Sequence, residues 1–351
     1  MYKLGIIGYG GMATYHHNAI NQHFAGKLKV TAAFDIDPDR LALAKSSGLT
    51  VFENAEDFFN SKMFDIVLVA TPNNFHPHYV ISAIEHGYNA ICEKPVSITV
   101  NEFDSMVAAA KKHGKLFSVH QNRRWDRDYR IVKEAIDQGL IGKPYAIESR
   151  VHGQNGVVHG WREFKVAGGG MLFDWGVHQI DQIIDMMGCE KVVSVYANMH
   201  SVRTPEVDDY YKLILRFEGG MTAQIETSTY TLVQQPRWYA YGDGGSLIIE
   251  GWDCKGRIIR AKDHVMNWEP VIVQTEAGPT RTMAPRPAET LEEIPLPTVD
   301  PHWTDYYTNI INVLDGKDEL IVNEINVRRV LQIMEAAFES DRTRSGIACQ
   351  I

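Results

Sequence analysis

Between the apolar run Leu4–Ile7 and a stretch of helical periodicity reaching about Gln22, the chain places Gly8, Gly10 and Ala13 in the spacing G-x-G-x-x-A. Each small residue meets a separate steric demand, and the pattern gains its force from the strand before it, the helix after it and the acid that follows. The first allows a tight strand-to-helix turn, the second lets backbone approach a pyrophosphate, and the third permits close packing of helix on sheet. Gly11 and Met12 then fall at the start of the helix, where free N–H groups and the positive dipole end favour phosphate. The next apolar run, Val30–Phe34, ends at Asp35, 22 residues beyond Ala13. A carboxylate there is placed to bind the adenosine ribose hydroxyls. The reading is a bound NAD. A 2′-phosphate would be repelled by Asp35, and Ile36 rather than Arg follows it, although Arg40 stands near enough to keep NADP open.

The pattern continues as short apolar runs separated by helical stretches: Ile66–Ala70, Ala90–Cys92 and Leu116–Val119, with helices over about 39–46, 76–86 and 101–113. Continuous apolar runs alternating with helices predict βαβ units around a buried parallel sheet. After about Gln121 the rhythm changes. A helix over 128–138, a strand over 144–152 and a glycine-led helix through about Met187 precede a series of strands between residues 192 and 261. Glu218-Gly219-Gly220 and Asp243-Gly244-Gly245 read as hairpin turns. Residues 275–300 read as an irregular excursion, and helices over 302–314 and 324–340 close the chain. The expected architecture is an α/β Rossmann-type dinucleotide-binding domain, 1–122, plus an α+β domain with an open, mainly antiparallel sheet, 123–351. A length of 351 residues suits two such domains.

Composition narrows the partners. The formal charge is −9, a poor match to nucleic acid or an anionic membrane surface, while leaving room for a local basic pocket. Cys92, Cys189, Cys254 and Cys349 form no CxxC pair, so neither a zinc site nor a disulfide framework is expected. Reduced thiols, no signal-peptide pattern and no apolar run near the ~20 residues of a membrane span point to the cytoplasm.

Further motifs carry a family resemblance. Thr71, Pro72 and Asn73 with His76 follow the third apolar run. Glu93-Lys94-Pro95 follows the fourth, and Gln121-Asn122-Arg123-Arg124 the fifth. Trp161-Arg162 and then Gly168-Gly169-Gly170, Asp174 and His178 follow in the second domain. Together these resemble the glucose–fructose oxidoreductase, inositol dehydrogenase and rhizopine-catabolism family (Gfo/Idh/MocA) over nearly the whole chain. The resemblance implies that Lys94 faces both nicotinamide and substrate, that Pro95 follows a cis bond, and that Asp174 and His178 complete the catalytic group. It implies that Thr71, Pro72, Asn73, His76, Glu93, Lys94, Asn122, Trp161 and Arg162 join Gly8, Gly10, Gly11, Met12, Ala13 and Asp35 around the cofactor. It also implies a small-molecule carbohydrate substrate and a homodimer or homotetramer.

Elementary chemistry agrees with that set. Oxidising a carbinol needs a base for the hydroxyl proton and a cation for the developing charge on oxygen. His178 has an intrinsic pKa suited to the first role and Lys94 to the second; the two can also exchange roles. Asp174, four residues before His178, is expected on the same helix face. Arg123, Trp125, His152, His159 and Trp161 are the remaining candidate substrate contacts. Arg124, Arg127 and Arg130 read as a solvated helix face. The spacing of His152, His159 and His178 matches no ligand pattern, so no metal is expected. Substrate choice is assigned to loops around 152–166 and 275–300. Two other functions share these features: a glycoside-cleaving or glycoside 3-oxidising enzyme that recycles its cofactor, and a nucleotide-binding regulator without turnover.

Overall fold

The computed structural model describes residues 1–156, 159–262, 272–280 and 286–351. Residues 157–158 and 281–285, within the two loops assigned to substrate choice, lie outside the described residues.

The first sheet is built from β1 (Tyr2–Ile7), β2 (Leu28–Phe34), β3 (Thr50–Phe52), β4 (Ile66–Val69), β5 (Asn89–Cys92) and β6 (Phe117–Val119). The intervening helices are α1 (Gly11–His23), α2 (Pro38–Ser46), α3 (Ala55–Asn60), α4 (His76–Glu85) and α5 (Val100–His113). All strand pairs are parallel, in the order β3-β2-β1-β4-β5-β6. This is a Rossmann sheet with its switch point between β1 and β4. The strands are apolar because both faces are covered: all four residues of β4 are buried. Helix ends carry local stop and start signals. Thr99 and Glu102 form a capping box on α5, and Gly114 ends it in the left-handed region.

The second part holds α6 (Arg127–Asp137), β7 (Pro144–His152), α7 (Val177–Met187), β8 (Val192–His200), β9 (Tyr210–Phe217), β10 (Thr222–Ser228), β11 (Trp238–Gly242), β12 (Gly245–Ile249), β13 (Gly256–Ala261), β14 (Val273–Thr275), β15 (Gly278–Thr280), β16 (Leu291–Ile294), α8 (Asp305–Leu314), α9 (Glu324–Thr343) and β17 (Ile347–Ala348). Nine strands form one sheet in the order β16-β13-β12-β11-β7-β10-β9-β8-β17. It is antiparallel except where β7 and β10 run parallel, with His152 opposite Ser228. That one parallel pair brings the ends of two distant strands to the same edge of the molecule. Among the described residues no helix is long and apolar enough to cross a membrane.

Three expectations need correction. The 275–300 excursion includes β16, which pairs with β13 and extends the sheet. The glycine-led helix does not start as an α-helix: Leu172–Gly176 is a π-helical turn that runs into α7. Asp174 therefore sits in a widened turn, not one α-helical turn ahead of His178. Arg124 is not solvated. Its side chain is 2% exposed and its guanidinium donates twice to Asp181 at 2.7 Å, to Asp185 at 3.0 Å and to the Ile321 carbonyl at 2.9 Å. A planar fork with five donors suits that triple partnership. Arg127, by contrast, is exposed as expected.

Candidate active site

The cofactor end of the site begins at the glycine turn. Gly8 has φ +85°, and a Cβ there would lie 2.8 Å from the Ala70 carbonyl oxygen. A Cβ at Gly10 or Gly11 would meet nothing within 4 Å. The chain thus leaves open the approach that a pyrophosphate requires. No side chain caps the N-terminus of α1, and no acidic residue lies in its first turn. Its N–H groups remain available to an anion. Asp35 is fixed beside this turn: its carboxylate accepts from Tyr9 N at 2.6 Å and from Asp37 N at 2.9 Å. These residues fit a bound dinucleotide.

Other cofactor candidates serve as supports. His76 is fully buried, with its ring nitrogens 2.9 Å from the Pro95 and Thr71 carbonyls. It shapes the Thr71 and Pro95 loops and offers no surface to a ligand. Asn73, also buried, donates to the Gly168 carbonyl at 2.8 Å and so ties the first domain to the Gly-rich loop. Ala13 is buried against the sheet and Asn122 is buried beyond β6.

Glu93 is the centre of a buried network that sequence reading missed. Its Oε1 accepts from His16 Nε2 at 2.7 Å and His120 Nδ1 at 2.8 Å, while Oε2 accepts from Lys94 N at 3.1 Å. Tyr307 O–H donates to the remaining His16 nitrogen at 2.7 Å. Burial alone would raise the Glu93 carboxyl, but the two histidines hold it well below the usual range. His16, Glu93 and His120 bring three ligand-type atoms within 4.8 Å; the hydrogen bonds just described already engage them. His16 follows Met12 by one helical turn and His120 follows β6 directly. Only the three-dimensional fold brings them to Glu93.

Lys94 links this network to the second domain. The Lys94–Pro95 peptide is cis, as the resemblance implied. Lys94 Nζ donates to the Asp174 carbonyl at 2.9 Å and to its Oδ1 at 3.0 Å. Arg162 Nε donates to the same Oδ1 at 3.2 Å, and its guanidinium lies over Trp161 at 4.5 Å. Burial would raise the Asp174 carboxyl, but the charges of Lys94 and Arg162 outweigh it and keep it below its ordinary value. His178 is buried and held well below the ordinary imidazole value, first by burial and then by the positive charges of Lys94 and Arg123. Its Nδ1 has no hydrogen-bond partner among the described residues. The next residue, Gln179, anchors α7 to the sheet. It donates to Ser149 and accepts from Tyr211 and Thr227.

A cavity of about 480 Å³ opens beside Asp174. Arg123, His152, His159, Arg162, Trp175 and Trp252 are among its walls, as are the ends of β7 and β10. The structure therefore brings Lys94, Asp174, His178, Arg162 and Arg123 together. His152 is only half-buried. It ends β7 at the cavity wall, and its Nε2 has no hydrogen-bond partner among the described residues. His159 is exposed, 3.9 Å from Glu163. Trp125 is packed into the core with its ring 6.0 Å from Tyr306, and borders a neighbouring cavity instead. Trp252 was not anticipated; its turn between β12 and β13 has no sequence signal beyond a hairpin.

The family model described as "Oxidoreductase family, NAD-binding Rossmann fold" matches residues 2–121, and the GFO/IDH/MocA C-terminal domain matches residues 129–248. The chain belongs to the Gfo/Idh/MocA oxidoreductase family. Like other members, this Gfo/Idh/MocA oxidoreductase is an NAD(P)-binding enzyme. It is 26% identical over 354 residues to scyllo-inositol 2-dehydrogenase (NADP(+)) IolW of Bacillus subtilis (strain 168), covering 98% of this chain and 95% of that one. It is 28% identical over 263 residues to myo-inositol 2-dehydrogenase of Thermotoga maritima, covering 73% and 74%. The crystal structure of an NAD-binding protein from Listeria innocua superimposes with a TM-score of 0.91 at 39% identity over 99% of both chains.

Proposed function

We propose that this oxidoreductase moves hydride between a nicotinamide, NAD in preference to NADP, and a secondary alcohol or ketone of a sugar, glycoside or cyclic polyol. The observation that carries the reading is the Lys94–Asp174 pair, which joins the two domains beside a cavity large enough for such a substrate. When bound, the nicotinamide supplies the hydride acceptor. His178, kept neutral by burial and neighbouring cations, takes the hydroxyl proton. Lys94 donates to the substrate oxygen and stabilises its developing negative charge. Asp174 holds Lys94 and Arg162 in place.

The two inositol dehydrogenases among the relatives support a polyol or sugar substrate. Asp35 supports NAD, although the name of IolW specifies NADP. Four unpaired cysteines suit a cytoplasmic enzyme. Tyr196 and Ile214 lie opposite each other on the outer sheet face, 40% and 39% exposed. That face suits a second copy of the chain, in a homodimer or homotetramer.

The test is a panel of inositols, sugars and glycosides with NAD and NADP, read by reduced-nicotinamide absorbance. Denatured protein is assayed in parallel for released nicotinamide. Reduced nicotinamide from at least one carbohydrate, faster with NAD, is expected. Product formation with retained nicotinamide and no net reduction would show internal recycling. Cofactor binding without any turnover across the panel would overturn the proposal.

A further inference from the structure

We infer that the substrate site has a second compartment, and that the substrate is a disaccharide or glycoside with one ring beside Asp174 and the other on Trp252. The inference rests on the reading above, that a carbohydrate reacts beside Lys94 and His178. The cavity next to Asp174 has a neighbour. A second cavity of about 270 Å³, bordered by Asp126, Arg127 and Trp303, adjoins it. The two share Arg123 and Trp252 as walls.

Three indoles gather around that shared wall. The Arg123 guanidinium carbon lies 4.1 Å from the ring centre of Trp175, 5.6 Å from Trp252 and 6.0 Å from Trp303. Trp175 faces the inner cavity, Trp303 the outer one, and Trp252 both. Stacking against aromatic faces orients the guanidinium without consuming its donors. Arg123 spends one donor on Asp126, at 2.8 Å, and Asp126 in turn accepts from Trp303 Nε1 at 3.1 Å. Among the described residues the other guanidinium N–H groups have no hydrogen-bond acceptor, and Arg123 lines both cavities.

Trp252 is 50% exposed. It stands on the β12–β13 turn, where Cys254 adopts φ +59°, a left-handed conformation uncommon outside glycine. An indole presented on such a turn, backed by Trp175 at 5.8 Å and by the Arg237 guanidinium at 4.7 Å, is a platform. A pyranose offers an apolar C–H face to an indole and hydroxyls to guanidinium donors at its rim. Trp252, Arg123 and Arg127 provide that combination in one place. A monosaccharide beside Asp174 would leave it unused.

The experiment uses full-length protein saturated with NAD and pairs each monosaccharide with disaccharides containing it: glucose with cellobiose and maltose, galactose with lactose and melibiose. Reduced nicotinamide gives kcat/KM, and calorimetric titration gives Kd. At least one disaccharide is expected to exceed its parent monosaccharide about tenfold in kcat/KM or in affinity. Trp252→Ala is expected to lower that ratio about tenfold, chiefly through KM or Kd, and Trp252→Phe to retain most of it. Disaccharides that bind and react no better than their parents would overturn the inference, as would a ratio unchanged in Trp252→Ala. Selective binding of a disaccharide with neither reduced nicotinamide nor any product would leave the second compartment standing and count against the proposed reaction.

Discussion

Lys94 and Asp174, 80 residues apart, are joined twice: the lysine ammonium donates to the aspartate's main-chain carbonyl at 2.9 Å and to its carboxylate at 3.0 Å. One residue follows a strand of the nucleotide-binding sheet. The other occupies a π-helical turn just before the helix carrying His178. Such widened turns recur at functional sites. The double bond pattern sets the lysine's position against the second domain through backbone as well as side chain.

Removing the charge of Asp174 should therefore disturb more than one salt bridge. Asp174→Asn leaves Lys94 and Arg162 facing each other without the carboxylate between them. Turnover is expected to fall about a hundredfold, a magnitude typical of lost positioning or proton transfer. NAD titration should show nearly unchanged affinity, and circular dichroism an unchanged fold.

The pH profile carries a sign that can be checked. His178 must be neutral to accept a proton, and its folded-state pKa lies well below the ordinary imidazole value. The acid limb of kcat/KM should thus fall below about pH 6.5. Stability should follow linkage. His16, His17, His76 and His178 all have lowered folded pKa values, so the unfolded chain binds more protons as pH drops through about 6.5; the four outweigh Asp208, whose carboxyl, pushed up to about 7 by burial, acts in the opposite sense. Urea denaturation should show stability declining with acidification from that point.

Cofactor choice should turn on Asp35. With its carboxylate held by Tyr9 N and Asp37 N, Asp35→Ala is expected to cost about tenfold or more in kcat/KM with NAD and less with NADP. Steady-state kinetics with both cofactors measures this directly. Equal losses for the two would remove Asp35 from cofactor discrimination.

Arg124→Met should destabilise the protein by about 3–5 kcal/mol, because Asp181 and Asp185 lose their shared cation in a buried setting. Chemical denaturation gives the value, and a change within the error of the wild type would contradict the structural role.

Much of the first domain was legible because its signals are local. Gly8, Gly10, Ala13 and Asp35 each sit where the spacing placed them, and the apolar strands are buried on both faces. The short β3 and α3 were missed, although Asn54 caps α3 by accepting from Asp57 N, an audible but brief signal in six residues. In the second domain the strands were legible and their neighbours were not. Nothing local in 144–152 or 222–228 announces the parallel β7–β10 pair that frames the cavity. Arg124 looked like a surface arginine because its partners Asp181 and Asp185 are some 60 residues away. Glu93 likewise lies 77 residues from His16 and 27 from His120, so no local pattern links the three.

In the proposed reaction Lys94 and His178 perform the chemistry while the glycine turn and Asp35 hold the cofactor. The most direct measurement compares wild type, Lys94→Ala and His178→Ala for reduced-nicotinamide formation on a reactive carbohydrate, with NAD affinity titrated on the same preparations. Turnover is expected to drop about a hundredfold or more in both variants while NAD binding persists. Near-normal turnover in both would contradict the account.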